Sequence, residues 1–153
     1  MSSYLDRIQT DLVAAMKAKD ELRLSVLRMT KSALKLKEVD KMAPLTDLEG
    51  MQTLQTLVKQ RKESIEQFIQ GGRRDLADKE AKEIEIIESY LPAAPSDADM
   101  ERAIADAVQE TGADSLKQMG AVVKAARAKL EGQAIDGKVL SDKVRDVLNA
   151  KSN

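Results

Sequence analysis

The sequence predicts an all-α, two-part multihelical fold, and three observations carry that prediction. Hydrophobic residues make up 42 % of the 153 residues and charged ones 33 %, while aromatics are only 2 %, namely Tyr4, Phe68 and Tyr90. A mixture rich in Ala, Leu, Lys and Glu suits helix bundles, because unbranched side chains lose little rotamer freedom in a helix. Apolar residues also recur three and four positions apart along most of the chain, and no stretch alternates with the period of a strand. Finally, two of the three prolines fall in the uncharged segment LPAAPS, Leu91 to Ser96, the best candidate boundary in the chain. The expected parts are residues 1–92, with about four helices, and residues 93–153, with three.

Leu5, Ile8, Leu12, Ala15 and Met16 predict a first helix from about Ser3 to Lys17, ending near Lys19. Asp20 is placed to cap a second helix, whose stripe is read as Leu22, Val26, Met29, Ala33 and Leu36, widened by Leu24, Leu27 and Leu34. A stripe this broad predicts more than one packed neighbour. Lys31, Lys35 and Lys37 suit its C-terminal half, where cations complement the helix dipole. After Pro44, Thr46 followed by Glu49 reads as a capping box opening a long third helix, through Leu54, Leu57, Val58, Ile65, Phe68 and Ile69 to the Gly71–Gly72 stop. A fourth helix from about Asp75 through Leu76, Ile84, Ile87 and Leu91 completes an antiparallel hairpin, with Lys79 and Glu83 spaced for an exposed ion pair.

Ser96 is placed to cap a fifth helix through Ile104 and Val108 to Gly112, and Asp114 or Ser115 a sixth. The sixth carries Leu116, Met119, Val122, Val123, Ala126 and Leu130 and stops at Gly132. Asp136 opens the seventh, with Leu140, Val144, Val147 and Leu148 on one face.

With no histidine and no cysteine, the commonest general base and the commonest thiol nucleophile are excluded, as are disulfides. A cysteine-free chain fits a reducing compartment, and a cytoplasmic location is the expectation. Asp6 and Arg7 interrupt the start, Met1 to Ile8, where a secretory leader needs apolar residues, and no later run is long enough to span a bilayer. Glu80, Glu83, Glu85 and Glu88 read as a solvated face, because carboxylate metal sites in helix bundles pair Glu with His. Asp97 and Asp99 lack the pattern of a calcium loop and read as helix-end acids. The run Gly71 to Arg74 lacks the spacing of a P-loop, and Lys59 to Lys62 reads as a solvated helix face. No cofactor and no metal are expected.

The formal charge is −1, so any attraction to nucleic acid must be local. From Asp97 to Asp114, Arg102 stands against Asp97, Asp99, Glu101, Asp106, Glu110 and Asp114, a net of −5. From Ser115 to Asn153, the bases Lys117, Lys124, Arg127, Lys129, Lys138, Lys143, Arg145 and Lys151 outnumber Glu131, Asp136, Asp142 and Asp146, a net of +4. The last two helices thus carry a local positive field. Lys117, Lys124, Arg127, Lys129, Lys138 and Lys143 are the candidate phosphate-binding residues. No aromatic residue interleaves them, which predicts recognition of backbone or shape rather than base stacking. Gly120, Gly132 and Gly137 are the candidate structural turns around them.

Five blocks, in order, resemble the GatB/YqeY family: RLSVLRM from Arg23, VKQRKESIEQF from Val58, GGRRDLADKE from Gly71, EIEIIESYLP from Glu83 and ETGADSLKQMGAVV from Glu110. The resemblance implies a free-standing two-part helical protein of this family. It also implies kinship with the C-terminal region of the B subunit of tRNA-dependent amidotransferases, where the final helical domain grips the elbow of tRNA. The matching positions here are Met119 and Gly120 with the helix after them, and the turn from Gly132 to Lys138. Members of the family read GxADGK at that turn, whereas this chain reads GQAIDGK, with Ile135 extra. The catalytic domains do not carry over, so the family's carbon–nitrogen ligase activity, with glutamine as amido-N-donor, is not expected of this chain. The implied partners are tRNA and a protein of tRNA aminoacylation or amidation, and no membrane. A helical module that binds another protein and no RNA is the alternative.

Overall fold

The computed structural model describes residues 3–152. Met1, Ser2 and Asn153 lie outside these, and with them the first two positions of the segment weighed as a leader and the outer ends of both expected parts. The described residues are all-helical, with seven α-helices, one 3₁₀ turn and no strand. The chain divides into two compact units, Met1–Leu91 and Pro92–Asn153.

In the first unit α1 spans Tyr4–Ala18, α2 Glu21–Lys41, α3 Asp47–Gln70 and α4 Arg74–Glu88. Polar caps set the starts. Ser3 and Asp6 form a capping box on α1, Asp20 Oδ1 accepts the Arg23 N–H on α2, and Thr46 and Glu49 box α3. Gly72, at φ +75°, makes the reversal between α3 and α4 that a side chain would strain. Ile8, Leu12, Val26, Leu27, Leu34, Leu54, Val58, Ile84 and Ile87 form a common core, and α2 packs against α1, α3 and α4. Gly50 lets α1 approach α3, because a Cβ there would stand 2.7 Å from Cδ2 of Tyr4.

Four sequence expectations fail in this unit. The buried face of α2 is Val26, Leu27, Thr30 and Leu34, while Met29 and Leu36, assigned to the inward stripe, are 44 % and 62 % exposed. Arg61, read as part of a solvated basic run, is buried, and its Nη1 donates to Glu80 at 3.0 Å and Glu83 at 2.7 Å. Glu83 therefore does not pair with Lys79, and Glu80 and Glu83 leave the solvated face to Glu85 and Glu88. The aromatic pair is also tied in. The Tyr90 hydroxyl donates to Asp11, and the Arg7 guanidinium lies 5.2 Å from the Tyr90 ring and 5.7 Å from that of Tyr4. Burial, then the hydrogen bond to Asp11, pushes the Tyr90 hydroxyl pKa well up.

In the second unit α5 spans Asp97–Thr111, a 3₁₀ turn Leu116–Gln118, α6 Met119–Lys129 and α7 Gly137–Ser152. Its core is Met100, Ile104, Ala107, Val108, Val122, Ala126, Leu130, Leu140, Val144 and Leu148. Leu116 opens no sixth helix: it sits in the 3₁₀ turn and is 45 % exposed. Gly112 and Gly132 take positive φ, +67° and +88°, at the two links. Ile135, the extra residue of the last turn, packs against this core, and the Ala134 N–H donates to the Ala93 carbonyl at 3.1 Å.

Candidate nucleic-acid interface

The amphipathic pattern of α6 separates an inner stripe from an outer one. Val122, Ala126 and Leu130 are buried, whereas Gly120, Ala121, Lys124, Arg127 and Ala128 are all exposed. Spacings of three and four put these five on one outward face, so two cations stand on a strip of otherwise minimal side chains. Nothing lies within 4 Å of where a Cβ on Gly120 would be, leaving the backbone approachable there. Lys117, three residues before Gly120, is exposed in the 3₁₀ turn feeding this face. Gln118 holds the turn, its Oε1 accepting the N–H groups of Asp114 at 2.9 Å and Ser115 at 3.2 Å.

A second contact joins this face to α7. A Cβ built on Gly137 would stand 2.7 Å from Nη2 of Arg127, so the guanidinium rests against the first residue of α7, beside exposed Lys138. The first amides of α7 are not open to a phosphate, since Asp136 Oδ1 accepts the N–H groups of Lys138 at 3.0 Å and Val139 at 3.2 Å. Cationic side chains, not helix-end amides, supply the positive field here.

The six candidate cations divide in two. Lys129 pairs with Glu110 and Lys143 with Asp97 at 3.4 Å, both acids belonging to α5. For Lys117, Lys124, Arg127 and Lys138, no carboxylate lies within ion-pair distance among the described residues. Of the three glycines, Gly132 makes the turn, Gly120 lies inside α6 and Gly137 opens α7. The Arg127–Gly137 contact had no signal in the sequence, because it depends on how α6 and α7 cross. Among the described residues no cluster of three metal-ligating side chains occurs, and no helix is long and apolar enough to cross a membrane.

Residues 5–148 match the family described as YqeY-like protein, nearly the whole chain. The chain belongs to the YqeY-like family. Similar proteins are those named altered inheritance of mitochondria protein 41, mitochondrial, from several fungi. That of Lachancea thermotolerans is 39 % identical over 114 residues, 71 % of this chain and 61 % of the relative. That of Kluyveromyces lactis is 42 % identical over 96 residues, 60 % and 52 % respectively. That of Clavispora lusitaniae is 35 % identical over 125 residues, 80 % and 73 % respectively. The chain thus spans only about half to three fifths of the first two relatives. All six candidate cations fall inside the YqeY-like match.

Proposed function

We propose that this YqeY-like chain is a non-catalytic accessory protein that binds tRNA through the outer face of α6 and the start of α7. One observation carries the reading: Lys117, Lys124, Arg127 and Lys138 are exposed with no carboxylate in ion-pair distance among the described residues, and the α6 face holding two of them is otherwise made of small residues that let a phosphate backbone approach. Each phosphate contact releases counterions, so attraction is salt-dependent and indifferent to sequence. Lys129 and Lys143 serve chiefly to hold α5 against the other two helices. The resemblance to the tRNA-gripping end of amidotransferase B subunits supports the elbow as the target, and a protein of tRNA amidation as a companion. The work of this module is to position RNA, and ligase chemistry belongs to other domains. The names of the fungal relatives, which carry the word mitochondrial, favour a compartment with its own protein synthesis over the general cytoplasm.

Fluorescence anisotropy with bulk tRNA tests this reading. Four phosphate contacts give a log–log salt slope of about −3, which weakens binding by over an order of magnitude between roughly 50 and 200 mM salt. Lys124→Glu with Arg127→Glu abolishes most of the binding, and Lys129→Glu costs far less. Gly137→Ala displaces the Arg127 guanidinium while leaving the helix intact, and weakens binding by a smaller factor. Absence of binding at low salt removes the proposal.

A further inference from the structure

The proline-bounded segment that marks the boundary in the sequence is built into the second unit, which begins at Pro92. It does not stand free of the RNA-facing helices. The Ala93 carbonyl accepts the Ala134 N–H at 3.1 Å, and Asp97, at the start of α5, pairs with Lys143 of α7 at 3.4 Å. The second tie is the weaker one, because Asp97 is exposed. Between the two, Pro95 is half-buried and the Ser96 hydroxyl caps α5, accepting the Asp99 N–H at 3.0 Å. Pro92 and Pro95 each fix φ, so the backbone on both sides of Ala93 has few conformations to choose from. Residues 92–97 thus form a short strap, fastened at one end to the turn between α6 and α7 and at the other to α7 itself.

The turn that the strap holds is the one that leads to the seat of Arg127. The Gln133 N–H donates to the Leu130 carbonyl at 3.2 Å, Ala134 donates to Ala93, and Asp136 Oδ1 accepts the N–H groups of Lys138 and Val139. Of these backbone fastenings, only the Ala93 bond reaches a distant part of the chain. Gly137 is three residues past Ala134, at most about 11 Å of chain. Ile135 is packed on the core and Asp136 is committed to its cap, so little of a shift at Ala134 can be absorbed before Gly137. The Arg127 guanidinium rests on Gly137 with no carboxylate in ion-pair distance among the described residues, and Lys138 comes next in the chain. Strap, turn and two of the RNA-facing cations therefore form one mechanical series. We propose that residues 92–97 are a positioning strap that keeps Arg127 and Lys138 in the register a phosphate backbone meets, so that the path of the chain entering the second unit and its affinity for RNA are coupled. This coupling rests on the tRNA-binding reading of the same face, and adds to it residues that set the geometry without touching RNA. It is also mutual, since a strap that favours binding is itself stabilised by bound RNA.

Freeing the strap in the full chain tests this. Pro92→Gly combined with Pro95→Gly loosens φ on both sides of Ala93 and removes no charge. Affinity for bulk tRNA, read by anisotropy, falls about five- to tenfold. The salt slope falls toward about half its value, because Arg127 and Lys138 lose their seat while Lys117 and Lys124 keep theirs. A variant that was merely less well folded would bind as a smaller active fraction with its slope unchanged, so an unchanged slope overturns the strap. Amide hydrogen exchange followed by NMR supplies a readout without RNA. In the free double variant the amides of Ala134, Lys138 and Val139 exchange faster, and those of the core residues Val122 and Leu148 do not. Faster exchange at Ala134 alone means that the effect dies out within the turn, and overturns the proposal. Should the native chain bind no tRNA, the reading of the face falls, and exchange at Lys138 and Val139 still decides whether the strap holds the start of α7. Should the double variant fail to fold, the native chain decides: saturating tRNA slows exchange of the Ala134 amide, and no slowing overturns the coupling.

Discussion

Arg61 lies on the core-facing stripe of α3, four residues before Ile65 and three after Val58, and Glu80 and Glu83 hold matching places on α4 among Leu76, Ile84 and Ile87. A base and two acids at apolar-stripe positions of paired helices are a buried ion cluster written into the periodicity. Composition hid it, because Lys59, Gln60 and Lys62 around Arg61 are exposed and give the run the look of a solvated face. The side chain of Arg61 is 9 % exposed, and those of Glu83 and Glu80 are 13 % and 22 %. Removing one member of such a cluster leaves an uncompensated charge, whereas removing all of them together costs little. Arg61→Ala therefore lowers the unfolding free energy by about 3–5 kcal/mol in a urea titration followed by circular dichroism. Arg61→Met combined with Glu80→Gln and Glu83→Gln recovers most of that loss. If Arg61→Ala alone costs less than about 1 kcal/mol, the cluster is no more than a surface pair.

At the scale of the element, helix starts were the most legible feature, because capping chemistry is local. Asp20, Thr46 with Glu49, and Ser96 each cap the helix assigned to them, whereas α6 starts at Met119 with no side-chain cap, not at Asp114 or Ser115. The inward face of α2 was not legible, since this helix is apolar on two sides and periodicity cannot say which one packs. The charges of α6 and α7 could be counted, but the ties from Lys129 and Lys143 depend on how α5 packs, which no local pattern records. The cap on α3 also carries a pH dependence. The Lys41 ammonium bonds the Glu49 carboxylate and the Thr46 N–H donates to it at 3.0 Å, which lowers its pKa from 4.5 to about 2. A depressed carboxylate pKa means stability that is present above 4.5 and lost as pH falls toward 2. A Glu49 carboxyl titration followed by NMR therefore has its midpoint near 2. Glu49→Gln keeps the capping box and flattens the stability profile across that window. A midpoint at the ordinary value would mean that the Lys41 contact does not persist in solution.

At the scale of the whole molecule, the two cores share no residue: the first is closed by Ile8, Leu27, Leu54 and Ile87, and the second by Ile104, Val122, Leu140 and Leu148. Every cation proposed to meet tRNA belongs to the second unit. RNA binding is thereby separable from the first unit by cutting the chain. A unit this small buries only about 60 % of the surface its unfolded chain exposes, so its margin of stability is thin, yet many domains of this size fold alone. The ion pairs from Lys129 and Lys143 to α5, and the bonds from the Ser152 hydroxyl to the carbonyls of Asp114 and Leu148, close the second unit on itself. The fragment 92–153 accordingly melts cooperatively by circular dichroism, and binds tRNA at low salt within several-fold of the intact chain. The fragment 1–91 retains helicity and does not bind. Binding that requires both units, with a folded second unit inert by itself, would place the RNA contact elsewhere than on the outer face of α6.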